Sequence, residues 1–315
     1  MIFLNLLILL ISLAILNILS DKVIFYSTQL SSYFRLSYIS AGFILLSITT
    51  SLPELFVSGI ASFIGEGGIS IGNVLGSNIA NLTIIIGFSV LLTKNKIKIK
   101  ASSGKALAQF LFLSSLIPMF ILQRGSLGPI LGFVLLILFI YFTLNISKKV
   151  AKVTPLKYMR RREVKITTIK FLVCCFLLVI LSKLIVDNSI FVAQFLGIPT
   201  TIIGATLVAI GTSLPELATT LQALKKNLYE MALGNLLGSC ITNLTLVLGL
   251  SALLSFSSIN ILTTGTIIFF VLLSTLTIWY LISTRKYLKK SDGIILCLIY
   301  LLFILQQIGF SILIF

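Results

Sequence analysis

The 315-residue chain contains no histidine, which removes the commonest proton relay and metal ligand from any mechanism. Charge is scarce, with 10% Asp, Glu, Lys and Arg against roughly 25% in a soluble domain. Only eight residues are acidic and 24 are basic, for a formal net charge of +16. The four cysteines, Cys174, Cys175, Cys240 and Cys297, lie in apolar runs without metal-ligand spacing and read as small buried hydrophobes. What fills the sequence is apolar, at 58% hydrophobic residues. That composition excludes an ordinary soluble domain and indicates an integral membrane protein.

Runs long enough to cross a ~30 Å hydrocarbon core as helices occur ten times, at roughly 2–20, 39–63, 69–93, 106–122, 127–147, 167–187, 200–224, 230–254, 261–283 and 293–315. The first run lacks a basic leading segment and a clear small-residue cleavage site, so it reads as a retained helix, free to continue past Asp21. Of the 24 basic residues, all but Arg124 and Lys183 fall between odd and even runs or, in the case of Lys170, just beyond, with Lys22 and Arg35 in the first such loop. Such one-sidedness predicts a multi-pass protein of the cell membrane with cytoplasmic basic loops and both termini outside. It argues against nucleic acid as a partner, because the charges flank spans and form no single patch.

Residues 42–92 and 204–254 align without a gap at a constant offset of 162, with 23 of 51 positions identical. Corresponding runs are five apart, an odd number, so the second copy is expected to cross the membrane in the opposite direction. The expected fold is therefore an all-α membrane protein of ten transmembrane helices, built as two inverted five-helix repeats of the kind secondary transporters use. The chain divides into 1–150, a basic linker at 151–165, and 166–315.

Each copy carries TSLPEL near the middle of an apolar run, with Thr50, Ser51, Pro53 and Glu54 in one and Thr212, Ser213, Pro215 and Glu216 in the other. Proline removes a donor and disfavours helix at the residue before it. Carbonyls in the preceding turn, around Ser47 and Ala209, are expected to face something other than an amide. A kinked helix accounts for the proline and hydroxyls alone. The glutamates ask for more, since a carboxylate at mid-bilayer costs at least ~2.5 kcal/mol and is rarely kept without a partner or a task. No lysine or arginine lies at comparable depth in the sequence, so the missing counter-charge is most simply a mobile cation.

A second repeated block, GNVLGSNIANL and GNLLGSCITNL, sets Asn73, Ser77 and Asn81, and likewise Asn235, Ser239 and Asn243, four residues apart on one helix face. Gly72 with Gly76, and Gly234 with Gly238, are spaced for close helix packing. Interhelical hydrogen bonding suffices for Asn73 and Asn235. Ser77, Asn81, Ser239 and Asn243 share the glutamates' depth, and cation contact is favoured for them. Pooled, these are hard oxygen ligands, which suit Ca2+ or Na+ and argue against zinc or copper.

GTSLPE followed by GNxxGSxxxN, repeated in inverted orientation over ten runs, resembles the cation/calcium exchanger superfamily, and most closely its prokaryotic Na+/Ca2+ exchangers. The resemblance implies calcium between Glu54 and Glu216 with help from the Thr50 and Thr212 carbonyls. It implies sodium sites from the Ser47 carbonyl, Thr50, Ser51, Glu54 and Ser239 on one side. On the other it implies the Ala209 carbonyl, Thr212, Ser213, Glu216 and Ser77, with Asn81 and Asn243 in the middle. The helices beginning near 2 and 167 are implied to slide as a pair. The partners implied are Ca2+, Na+ and the lipid bilayer, with no cofactor and no catalytic residue. Two departures from the pattern stand out. Asn243 stands where many relatives carry aspartate, and in the first copy Ser47 stands opposite Ala209 and Thr49 opposite Gly211, where a β-branched residue is expected to stiffen the break. The expected activity is sodium/calcium antiport by alternating access. Proton/calcium exchange is the alternative, followed by a passive cation channel or a calcium sensor.

Overall fold

The structure, a computed structural model, describes residues 2–63, 65, 67–93, 97–98, 101–124, 128–148, 161–195, 209–254, 261–285 and 287–307. Two long helices, Ile2–Tyr33 and Arg161–Phe195, pack along each other. At 32 and 35 residues and ~1.5 Å per residue they are longer than the hydrocarbon core is thick, a mismatch that tilt or overhang absorbs. Both exceed the expected runs. Neither glycine nor proline interrupts residues 2–33, so the helix continues past Asp21 and takes in Lys22, which the charge pattern assigns to the first loop. Residues 161–165 of the expected linker likewise open the second long helix, while 151–160 lie outside the described residues.

Six described stretches are long and apolar enough to cross a bilayer, namely 70–92, 129–146, 162–181, 229–254, 264–284 and 290–307. A seventh is broken, because Tyr38–Thr50 and Leu52–Phe63 meet at a bend of 46°. Ala101–Arg124 and the pair Ala209–Thr212 and Leu214–Lys225 complete the described helices, and residues 200–208 of the expected seventh run lie outside them.

The break sits where the sequence puts it. Ser51 leaves helical geometry at φ −81°, ψ 9°, and its counterpart Ser213 does the same at φ −91°, ψ 10°. Pro53 and Pro215 then occupy the second residue of the next helix, where an N–H would have no partner within that helix. Two further irregularities match across the repeat, as Asn81–Ile85 and Asn243–Val247 each adopt a single π-helical segment. Such segments shift the side-chain register and recur at functional sites.

Close approach of backbones draws the two halves together. A Cβ on Gly42 would collide with the Met231 carbonyl, and one on Gly234 with the Ile39 carbonyl, so the Tyr229–Thr242 helix lies directly on residues 39–42. The expected packing role of Gly234 and Gly238 is met there, with Gly238 seated on Ser47 and Phe43. The partners that symmetry would give Gly72 fall among 201–204, outside the described residues.

Several described helix ends and loop residues that flank the basic loops come together at one end of the bundle. Ser40 Oγ donates to the Ile146 carbonyl at 3.0 Å, joining the loops before 38 and after 148. A short antiparallel pairing, Ile97 with Leu288 and Lys98 with Tyr287, joins two more. A groove between Thr93 and the Lys225–Tyr229 turn brings in the fifth, and the Gly42–Met231 contact ties that turn to the first. Lys226 also pairs with Asp21 at 2.9 Å.

Candidate cation site

The two breaks bring Glu54 and Glu216 into one polar cluster, both with no solvent exposure. Each helix following a break starts at Leu52 or Leu214, so each glutamate lies in a first turn, where the helix dipole favours an anion. Their hydrogen bonds cross between the halves. Ser213 Oγ donates to Glu54 Oε1 at 3.1 Å, and Ser51 Oγ lies 3.3 Å from Glu216 Oε1. These two contacts are copies at the offset of 162. Ser239 Oγ adds a second donor to Glu216 Oε1 at 3.1 Å and lies 3.2 Å from Ser51 Oγ. Among the described residues, Oε2 of each glutamate receives no hydrogen bond, and neither glutamate forms an ion pair. A buried acceptor left unpaired costs ~1–3 kcal/mol, and a buried charge without a partner costs more.

The remaining expected ligands surround this core. Ser77 and Thr212 exchange a hydroxyl hydrogen bond at 3.3 Å. Thr50 Oγ1 lies 3.1 Å from the Leu46 carbonyl and 3.4 Å from Asn235 Oδ1. Asn81 and Asn243 are fully buried at the start of the two π segments. No oxygen or nitrogen partner reaches either amide atom of Asn81, and Asn243 Oδ1 is also unpaired among the described residues. Ala209 opens a short helix, and its side chain lies outside the described residues.

Ser47 differs from expectation. Its carbonyl accepts the Ser51 amide at 3.0 Å and lies 3.4 Å from Thr50 Oγ1. Pro53 orphans the carbonyl four residues before it, at Thr49, so the ladder bond of Ser47 survives and only its second lone pair is open to a cation. Its hydroxyl turns back to the Phe43 carbonyl. Thr49 Oγ1 also turns back, to the Leu45 and Leu46 carbonyls at 2.6 and 2.9 Å, which braces the helix before the break.

Asn73 and Asn235 brace the helices that carry the glutamates. Asn73 Nδ2 donates to Ser58 Oγ at 3.0 Å and sits 3.4 Å from the Glu54 carbonyl; Asn235 Nδ2 repeats this with Thr220 Oγ1 and the Glu216 carbonyl at the same two distances. Sequence reasoning passed over Asn78. Its Nδ2 donates to the Cys240 carbonyl at 3.1 Å, and its Oδ1 accepts from Asn243 Nδ2 at 3.2 Å. The only signal was an extra amide between Ser77 and Asn81, and the repeat hid it, because position 240 holds cysteine. Cys240 is in turn more than a filler, with Sγ 3.9 Å from the Asn78 carbonyl.

Two buried carboxylates amid hydroxyl and amide oxygens, held by broken helices in an apolar bundle, define a cation-binding membrane protein. The family described as sodium/calcium exchanger protein matches residues 4–148 and 166–309. The chain belongs to that family. It is 32% identical to the sodium/calcium exchanger MaX1 of Methanosarcina acetivorans, over 96% of this chain and 98% of that one. It is 28% identical to the inner membrane protein YrbG of Escherichia coli, over 75% of each. Among solved structures, the sodium-calcium exchanger NCX_Mj soaked with zero Na+ and Ca2+ superposes with a TM-score of 0.80 at 28% identity, over 96% of this chain and 98% of that one.

Proposed function

We propose that this protein is a sodium/calcium antiporter of the cell membrane, moving Ca2+ against Na+ through one site that opens alternately to either side. The observation that carries the reading is the pair Glu54 and Glu216, each fully buried, each bonded by a serine of the opposite half, and each with one oxygen unpaired among the described residues. Two carboxylates neutralise one divalent ion, and the surrounding hydroxyl and amide oxygens suit hard cations. Calcium would lie between the glutamates with the Thr50 and Thr212 carbonyls. Sodium ions would share Glu54 and Glu216 with Thr50, Ser51, Ser239 and the Ser47 carbonyl, and with Thr212, Ser213, Ser77 and the Ala209 carbonyl. Shared ligands make occupancy by one ion exclude the other, which is the physical basis of exchange.

The reading includes ten spans in two inverted halves, 1–150 and 166–315. Contacts repeated at the offset of 162 and the approach of the described segments flanking the basic loops at one end support it. By the positive-inside rule that end is cytoplasmic and both termini are external. The paired long helices Ile2–Tyr33 and Arg161–Phe195 would slide together to expose the site from alternate sides.

The test is 45Ca2+ uptake into proteoliposomes driven by an outward sodium gradient. Uptake by the native chain, lost in Glu54→Gln and in Glu216→Gln, is expected. Uptake that ignores sodium and follows a pH gradient would overturn sodium coupling, and binding without flux would overturn transport.

A further inference from the structure

We propose that Asn78 is a positioning residue that determines which atom of the Asn243 amide faces the cation site; the inference rests on the antiporter reading above. Asn78 is fully buried. Its Nδ2 lies 3.1 Å from the Cys240 carbonyl oxygen, which only accepts, so the Asn78 amide has one permitted orientation. Its Oδ1 must therefore point the other way, where Asn243 lies 3.2 Å off. An acceptor there requires a donor, so the Asn243 atom in contact is Nδ2. The atom left over is Asn243 Oδ1, buried and unpaired among the described residues. A backbone carbonyl thus sets the polarity of two side chains in series, and the series ends on an oxygen. That is the atom a cation needs, and a flipped amide would present N–H hydrogens in its place.

The relay belongs to one half only. The offset of 162 exchanges Asn78 with Cys240 and Asn243 with Asn81, so Asn81 faces a thiol in place of an amide. Sulfur is both a weak donor and a weak acceptor and does not set the amide's direction. The relay also selects against an ionised aspartate at 243. A carboxylate oxygen there would meet Asn78 Oδ1, and turning the Asn78 amide over would bring that same oxygen against the Cys240 carbonyl. Either arrangement sets two acceptors against each other in a buried site. Asn78 and Asn243 are therefore matched, and the two-carboxylate character of the site is built into the bundle's centre.

The experiment is a double-mutant cycle on the full chain in proteoliposomes, reading the KM for calcium in sodium-driven 45Ca2+ uptake for the native protein, Asn78→Leu, Asn243→Leu and the double variant. Asn78→Leu keeps volume and removes the orienting acceptor. It is expected to raise KM by about tenfold with a smaller change in kcat. In the Asn243→Leu background the same change is expected to leave KM unaltered, because no amide remains to orient. A rise by the same factor in both backgrounds shows a packing role only and overturns the proposal, as does an unchanged KM for Asn78→Leu alone. Should Asn78→Leu fail to assemble, Asn78→Ser is read by the same criteria, since its shorter side chain keeps a donor near the Cys240 carbonyl and falls short of Asn243. A native chain without sodium-driven uptake, or an Asn243→Leu variant with native KM, overturns the site reading itself, a different result from additivity.

Discussion

Ser213 donates its hydroxyl hydrogen to Glu54 across the centre of the protein, at 3.1 Å. The reciprocal contact, Ser51 to Glu216 at 3.3 Å, is its copy 162 residues away. Neither carboxylate is therefore held wholly by its own half. Each break supplies both an acid and the hydroxyl that steadies the other acid, so distortion at one break is felt at both.

That sharing makes hydroxyl substitutions non-additive around Glu216. Its Oε1 has two donors, Ser51 and Ser239. Ser51→Ala or Ser239→Ala alone leaves one, and each is expected to raise the KM for calcium by only a few-fold. Together they remove both serine donors from that oxygen, against ~1–3 kcal/mol for an unpaired buried acceptor, and the double variant is expected to exceed the product of the single effects. Sodium-driven 45Ca2+ uptake measures all three.

Calcium is expected to stabilise the folded protein through the same site. A ligand that binds only the native state at 100 times its Kd adds about 2.7 kcal/mol. Thermal unfolding in detergent is expected to move upward with calcium in the native chain and to stay fixed in Glu54→Gln. A calcium shift that survives that substitution would place the bound ion elsewhere.

Gly42 and Gly59 separate packing from propensity. A Cβ at Gly42 runs into the Met231 backbone, whereas one at Gly59 meets nothing within 4 Å. Gly42→Ala is expected to lower stability by about 1–3 kcal/mol because backbone has to move. Gly59→Ala is expected to be neutral or to raise it by about 0.5–1 kcal/mol. Melting temperatures of the two variants in one detergent decide the comparison.

Two acidic residues at the basic end are expected to differ in the same assay. Asp292 is fully buried, pairs with Arg285, and accepts the Lys289 amide at 2.8 Å. Asp292→Ala leaves both donors unmatched and is expected to cost about 2 kcal/mol. The Asp21–Lys226 pair is open to solvent, with side chains 46% and 34% exposed. Asp21→Ala is expected to cost less than ~1 kcal/mol, less still in high salt.

The features legible in the chain were those carried by local chemistry. TSLPEL announces a break because proline lacks a donor, and both breaks fall where the motif is. The mid-run glutamates announce a buried polar cluster because a lone carboxylate in hydrocarbon is costly. Helix ends are less legible: the charges at Asp21 and Lys22 leave open how far the first helix continues, nothing in the backbone chemistry of 21–33 stops it, and it runs on to Tyr33. The bonding of the Ser47 carbonyl is less legible, because counting back from proline does not reveal which carbonyls the π segment Gly42–Ser47 keeps bonded.

Spacing, hydropathy and the repeat are properties of covalent order, and they settle which residues are buried, which helices break and which side chains repeat. The direction of a hydrogen bond is not such a property. That Ser213 serves Glu54, or that Asn78 turns the Asn243 oxygen outward, depends on helices separated by some 160 residues arriving within 3.5 Å at one angle. Only the packed bundle, with Gly42 and Gly234 letting backbones touch, supplies that approach, because hydrogen bonding vanishes with small changes of distance and angle that no sequence pattern encodes.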